Sequence, residues 1–419
     1  MSGAIPESLH EQLSHQLSQV VGFIYPNEVE TQWAILIVVY PYITGIVAGA
    51  FILASLVKVF NVVEVQPIYR LALLTALAFM LVAGLPLQLH LGHPERAYEI
   101  FFTPQTTSAM AMFGFVYLWY LMGILLIEIW FEYRAQLILM AREAKGLMKG
   151  IYGALSLFSK DLSPEALAFD KKASKFVTIV GIPSAFLLHG YVGFIFGSVK
   201  ANPWWGSVLM PIVFLMSAIV SGIAMVMFIY ILLSMLRNEK LDMVCLDKVG
   251  LFLLVAIIVD FALEALDYIH RLYQSEESIG ILTELVSAKL FTSLVVVQLL
   301  LGMLLPLVIL VLVRTVRFNE ELRKLLYFTS SLLILLGIFS MRWNVVIGGQ
   351  LYSKSFRGLM AYKMEITGIE SLATALFLLA LPFMFLAVLL WLLPPRWMER
   401  HAAQIPEQAY PAATLAGRT

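Results

Sequence analysis

The chain has 419 residues, of which 60% are hydrophobic and 13% charged, with 28 Lys and Arg balancing 28 Asp and Glu. Soluble domains carry about 25% charged and 45–50% apolar residues, so an apolar excess of this size, at a mean hydropathy of +0.86, must face lipid. A soluble enzyme, a disordered regulator and a secreted disulfide scaffold are excluded, and the zero net charge gives no reason to expect a nucleic-acid partner.

The first 30 residues lack the basic n-region of a signal peptide, and Leu9, Leu13, Leu17 and Val21 recur at every fourth position. That spacing predicts an amphipathic helix lying on a membrane surface. Nine apolar runs follow, near 34–60, 69–91, 107–131, 174–197, 206–235, 248–271, 287–314, 322–341 and 369–393. Each is long enough to cross about 30 Å of hydrocarbon, and the need to satisfy every backbone group in lipid makes them helices. The expected fold is therefore an all-α, multi-pass protein of the cytoplasmic (inner) membrane. A helical domain over 31–395 lies between the surface segment 1–30 and a tail over 396–419. Short connections set neighbouring helices antiparallel, in an up-and-down bundle. Twenty of the 28 Lys and Arg fall in the tail and in the loops after spans one, three, five and seven, which places the N-terminus outside and the C-terminus in the cytoplasm.

The cytoplasmic loop 132–174 is basic and carries a helix start at Ser163-Pro164-Glu165, as lipid contact or subunit docking would require. The outer loop 342–368 holds Arg342, Lys354, Arg357 and Lys363 against the general bias, which suits a docking surface, an anion site or plain solvated charge. Gly45 and Gly49 in span one, and Gly190, Gly193 and Gly197 in span four, offer small faces for close helix packing.

Chemistry concentrates in span six. At 100° per residue, Asp260, Glu264, Asp267 and Arg271 fall within about 60° of one another on one helix face. Burying even one such group near the bilayer centre costs roughly 2.5–3.5 kcal/mol, so a stripe of them faces water, a proton route or partner charges such as Arg271, Arg342 or Arg96. Other polar groups are expected at the same outer depth: His90 and His93 at the end of span two, His189 and Tyr191 in span four, and Arg342 ending span eight. The single cysteine, Cys245, supplies no ligand set for an iron–sulfur cluster, and no CxxCH motif is present for covalent haem. A b-type haem held by His90 and His189 would normally be accompanied by further His deep in the spans. A quinol pocket fits better: a neutral His can accept a quinol proton, and neighbouring carboxylates can orient the ring and relay that proton.

The segment His90-Leu-Gly-His-Pro-Glu-Arg96, followed by Pro104 and Ser108, resembles the turn between the second and third helices of the polysulfide reductase (NrfD-type) membrane-subunit family, with His90 where that family commonly has Asp. The likeness extends through His189 to Arg342-Trp-Asn-Val-Val-Ile-Gly-Gly-Gln350 and on to 358. There it is nearest the DsrP branch, named for the sulfite-reductase-associated DsrMKJOP complex, with the hydrogenase-associated HybB branch next. The resemblance implies a quinone-interacting subunit that binds menaquinone or ubiquinone non-covalently near the outer leaflet and holds no haem or iron–sulfur cluster of its own. It implies electron exchange with a periplasmic ferredoxin-like iron–sulfur subunit. In the DsrP branch the further partners are a multihaem cytochrome c, a b-haem membrane subunit and a cytoplasmic iron–sulfur subunit, all serving sulfur metabolism. His189, His90, Asp267, Glu264 and Asp260 are the expected proton-handling residues, and Tyr191, His93, Arg271 and Arg342 the expected additional quinone contacts. A proton-coupled secondary transporter is the alternative, since buried acids and helix prolines such as Pro86, Pro183 and Pro306 suit it too; the paired broken helices of many transporters are not evident.

Overall fold

The computed structural model describes residues 31–103, 105, 107–274, 278–352 and 358–395, without the side chains of 109–111, 271, 272 and 274. The surface segment 1–30, Pro104, the Arg271 side chain, Lys354, Arg357 and the tail 396–419 lie outside the described residues. Nine helices among the described residues are long and apolar enough to span a membrane. They are α1 (Ile35–Lys58), α2 (Val63–His90), α3 (Met112–Glu143), α4 (Pro164–Gly197), α5 (Met210–Arg237), α6 (Met243–His270), α7 (Ile279–Thr315), α8 (Glu320–Gln350) and α9 (Leu372–Leu392). The chain is a multi-pass integral membrane protein.

Several helix starts have local causes. Ser163, Asn319 and Ser371 cap α4, α8 and α9 by accepting the backbone N–H three residues on. Proline occupies the first turn of α4 and α5, where its missing N–H has no partner to lose. Asn238 ends α5 in a left-handed conformation (φ 53°), which asparagine tolerates.

Burial sorts the helices into two shells. The apolar stretches of α1 and α2 are 94% and 83% buried, and those of α5 and α8 are 72% buried, whereas α3, α4, α6, α7 and α9 range from 28% to 44%. The first four form the centre and the other five present apolar side chains to lipid. Close approach at the centre depends on missing side chains: a Cβ on Gly49 would stand 2.9 Å from the Gly222 Cα, and Gly302 of α7 faces Gly337 of α8 backbone to backbone. Gly45 and Gly193 are also packing positions, whereas Gly190 has open space beside it.

Contacts define two ends. At one, called upper without assigning a membrane side, Trp33 before α1 donates its backbone N–H to Gln350 at 3.0 Å. The Trp204 and Trp205 indoles, ahead of α5, donate to the Asn344 and Val345 carbonyls at 2.9 and 2.6 Å. At the lower end, Lys58 and Arg70 meet Glu132 at 2.7 and 3.0 Å, and Arg134 meets Asp170 at 2.7 Å.

Two expected boundaries shift. Regular helix in α8 continues to Val346, so Arg342 is not the start of a loop but a fully buried side chain four residues inside the helix. A hydropathy window ends at the first guanidinium and cannot register that the bundle supplies its partners. The loop expected over 132–174 is largely helical, because α3 runs to Glu143 and a short helix, Gly146–Leu155, precedes α4.

Candidate functional site

The α6 stripe is buried as its spacing predicts. Asp260, Glu264 and Asp267 are 0%, 7% and 8% exposed. Asp267 accepts a hydrogen bond from Ser207, in the turn before α5. Glu264 accepts from the Gln298 amide of α7 at 2.8 Å through Oε2, while its Oε1 has no hydrogen-bond partner among the described residues. Neither oxygen of Asp260 has one. A carboxyl group left this way in a bilayer interior is either protonated or hydrated, and in both cases it is a group whose proton can change.

Arg342 stands beside the stripe, on α8. Its Nη2 donates to Ser217 Oγ at 2.7 Å and to His189 Nε2 at 3.0 Å, and its guanidinium lies 4.1 Å from the centre of the Phe214 ring. Because an arginine only donates, His189 Nε2 must be the accepting nitrogen. The proton of this neutral ring is therefore on Nδ1, which faces Thr44 Oγ1 at 3.3 Å; Thr44 in turn donates to the Tyr40 carbonyl at 3.1 Å. Both ring nitrogens of His189 are engaged in fixing Arg342 and α1, and Gly45 leaves the space the ring occupies.

His90 and His93 have other partners than this cluster. His90 ends α2 near the surface, with Nδ1 2.8 Å from Glu370 before α9. His93 is 74% exposed at its side chain and sits 3.0 Å from Glu95. Arg96 donates to Glu99 at 2.9 and 3.0 Å, and this hydrogen bonding holds the Glu99 carboxyl below its ordinary range. Tyr191 has a buried hydroxyl with no partner among the described residues.

The structure adds residues that spacing does not mark. Ser293 donates to Asn344 Oδ1 at 2.6 Å, Asn344 donates to Gln298 Oε1 at 2.7 Å, and Gln298 reaches Glu264. Ser293 and Gln298 share a face because α7 is wound wide over Val286–Leu304, with each N–H reaching back five residues. An α-helix would turn residues five apart by about 140° from each other.

Two cavities flank this chain. A small one of about 30 Å³, room for a water molecule, has Glu264, Asp267, Gln298 and Asn344 on its wall beside apolar side chains such as Met210 and Val213. An apolar groove of about 680 Å³ runs along the other side, bounded by α1, α8 and α9, with Ser293 and Ser340 on its wall. A buried acid also sits in the lower half: Glu128 of α3 accepts from Tyr69 and Thr178 at 2.8 and 2.7 Å through one oxygen, the other having no partner among the described residues. Among the described residues, no three His, Cys, Asp or Glu side chains are grouped to hold a metal ion.

The described residues thus form a helical membrane domain with ionisable groups gathered inside it beside an apolar groove. Residues 26–353 match the family model described as polysulphide reductase, NrfD, and the chain belongs to that family. It is similar to a selenate reductase subunit of Mesobacillus selenatarsenatis, 32% identical over 324 residues covering 76% of this chain and 74% of the relative. A protein of Halobacterium salinarum that is named for the membrane subunit of a dimethyl sulfoxide reductase is 26% identical over 247 residues, 56% of this chain and 52% of its own length.

Proposed function

We propose that this chain is the quinone-interacting membrane subunit of a respiratory reductase complex. It exchanges electrons between the lipid quinone pool and an iron–sulfur partner docked at the upper end, which faces the periplasm. The observation that carries this reading is a juxtaposition. An apolar groove of about 680 Å³, within the size range of small-molecule sites, is joined through Ser293, Asn344 and Gln298 to Glu264. Isoprenoid quinones combine an apolar body with two polar ring oxygens, and their redox change carries protons with electrons. The groove suits the body, Ser293 and Ser340 suit a ring oxygen, and Asp260 and Glu264 suit the proton.

Within this reading Arg342 holds the acids near one another without pairing them off, and His189 positions Arg342. The names of the two relatives favour a complex that reduces a small oxidised compound. The finer assignment to the sulfite-reductase-associated branch, with its multihaem cytochrome c and b-haem partners, rests on 342–358 alone and is proposed only as a narrower form. The test is purification in mild detergent, with mass spectrometry of co-purifying chains and extraction of bound lipids. A co-purifying iron–sulfur chain and a retained quinone are expected. A folded, quinone-free chain purified alone would overturn the reading in favour of a proton-coupled transporter.

A further inference from the structure

Ser293 borders two environments, lining the apolar groove on one side and donating to Asn344 Oδ1 at 2.6 Å on the other. From there every donor points inward: Asn344 Nδ2 to Gln298 Oε1 at 2.7 Å, then Gln298 Nε2 to Glu264 Oε2 at 2.8 Å. With Glu264 ionised, the direction is forced at its inner end, because a carboxylate can only accept. Gln298 must turn its nitrogen to Glu264 and its oxygen to Asn344, and Asn344 must then turn its own oxygen to Ser293. The single hydroxyl hydrogen of Ser293 is thereby committed inward; its alternative acceptor, the Leu290 carbonyl, is farther away at 3.3 Å. Ser340, the second hydroxyl on the groove wall, is committed in the same sense, donating to the Ser293 carbonyl at 2.7 Å. Both hydroxyls turn lone pairs, and no hydrogen, toward the groove.

We infer that the groove recognises the reduced form of its ligand: it binds a lipophilic hydroquinone in preference to the matching quinone, with a ring hydroxyl donating to Ser293 or Ser340. This rests on the quinone-interacting reading and adds which redox form the wall selects. A hydroquinone brings O–H donors to two waiting acceptors. A quinone brings carbonyl oxygens, and an acceptor facing an acceptor leaves both unpaired in an apolar wall. Phospholipid ester oxygens meet the same mismatch, which disfavours a lipid chain with its headgroup region at this point. Tyr42 and Trp343 also line the groove. Their polar tips stand outside the directed chain, and either can serve the second ring oxygen of a hydroquinone, which accepts as well as donates. The selection is tied to the charge on Glu264. A neutral amide there can donate as well as accept, so the two intervening amides are no longer held in one orientation and Ser293 regains its hydrogen for the groove.

The experiment measures equilibrium binding of decylubiquinol, decylubiquinone and the dimethyl ether of that quinol, without oxygen. It uses the full chain with its co-purifying subunits in dioleoylphosphatidylcholine nanodiscs and follows tryptophan quenching. Expected is a quinol affinity about ten-fold above those of the quinone and the ether, the size of one well-made hydrogen bond. Ser293→Ala combined with Ser340→Ala should bring the three within about two-fold, by loss of that hydrogen bond. The nearly isosteric Glu264→Gln should retain binding and narrow the same ratio, which keeps the test open if the serine variant fails to fold. Equal affinities for the three ligands in the unaltered chain, or tighter binding of the quinone, would overturn the selection and leave the quinone-interacting reading standing. A ratio unchanged by Glu264→Gln would overturn the role of the directed chain. Absence of saturable binding by all three would overturn both.

Discussion

At the lower end Glu132 receives Lys58 at 2.7 Å and Arg70 at 3.0 Å, and Arg70 continues to Gln136 at 2.7 Å while lying 4.5 Å from the centre of the Tyr133 ring. At the upper end Asp260 has no hydrogen-bond partner among the described residues and Glu264 uses one oxygen of two. The same chain therefore closes its charges off where four helices meet at one end and leaves them open at the other. Paired buried charges hold position and resist a change of protonation. Acids that are buried but incompletely partnered keep a proton available, and they are costly enough that their retention points to use. Glu128 falls between the two cases, with three hydroxyls around one oxygen and none on the other.

The comparison breaks most visibly at Glu132. Glu132→Ala leaves two cations buried without their carboxylate and should cost about 3–5 kcal/mol, read as loss of folded yield and a fall in Tm. Arg342→Met should cost less, about 2–3 kcal/mol, because the lost hydrogen bonds to Ser217 and His189 are partly offset by removing a buried charge; a thermal-stability series in detergent would measure it. Asp260→Asn should change stability by no more than about 1 kcal/mol, since no hydrogen bond is lost and an uncharged group replaces an acid. It should nevertheless slow quinol-coupled reduction of the partner, because an amide cannot exchange the proton. If Asp260→Asn instead unfolds the chain while Glu132→Ala is tolerated, the contrast between the two ends is wrong.

How much of this was legible in the sequence follows from which physical signal each residue carries. The nine apolar runs mark the nine helices because length and hydropathy are the whole requirement for crossing a bilayer. Asp260, Glu264 and Asp267 are legible because charge in a span is costly and α6 keeps the ordinary α-helical period. His90 and His93 are legible as the end of span two, where the helix stops at His90, but no spacing shows that their partners are Glu370 and Glu95 rather than the α6 stripe. Arg342 reads as a span boundary, since nothing local announces that His189 and Ser217 await it across the bundle. Gln298 and Asn344 carry no charge, so no cost marks them, and the 100° rule sets Ser293 about 140° from Gln298, so it misses the alignment that the wide winding of α7 produces. Glu128 stands alone in its run, where no spacing can draw attention to it.

The wide winding of α7 has an evolutionary consequence. A stretch whose hydrogen bonds reach back five residues fits about one more residue into each turn than an α-helix does. Deletion of one residue within 286–304 would let that stretch relax toward the tighter form and still leave a segment long enough to cross the membrane. The apolar length would survive, and for a deletion outside 294–297 the relaxed helix would set Ser293 about 140° from Gln298 and their alignment would be lost. A lineage can thus add or remove the link between groove and carboxylates by a one-codon change, with the bundle otherwise intact. Relatives differing by one residue in this helix are the natural variants in which to look for the same groove without its hydrogen-bonded link to Glu264.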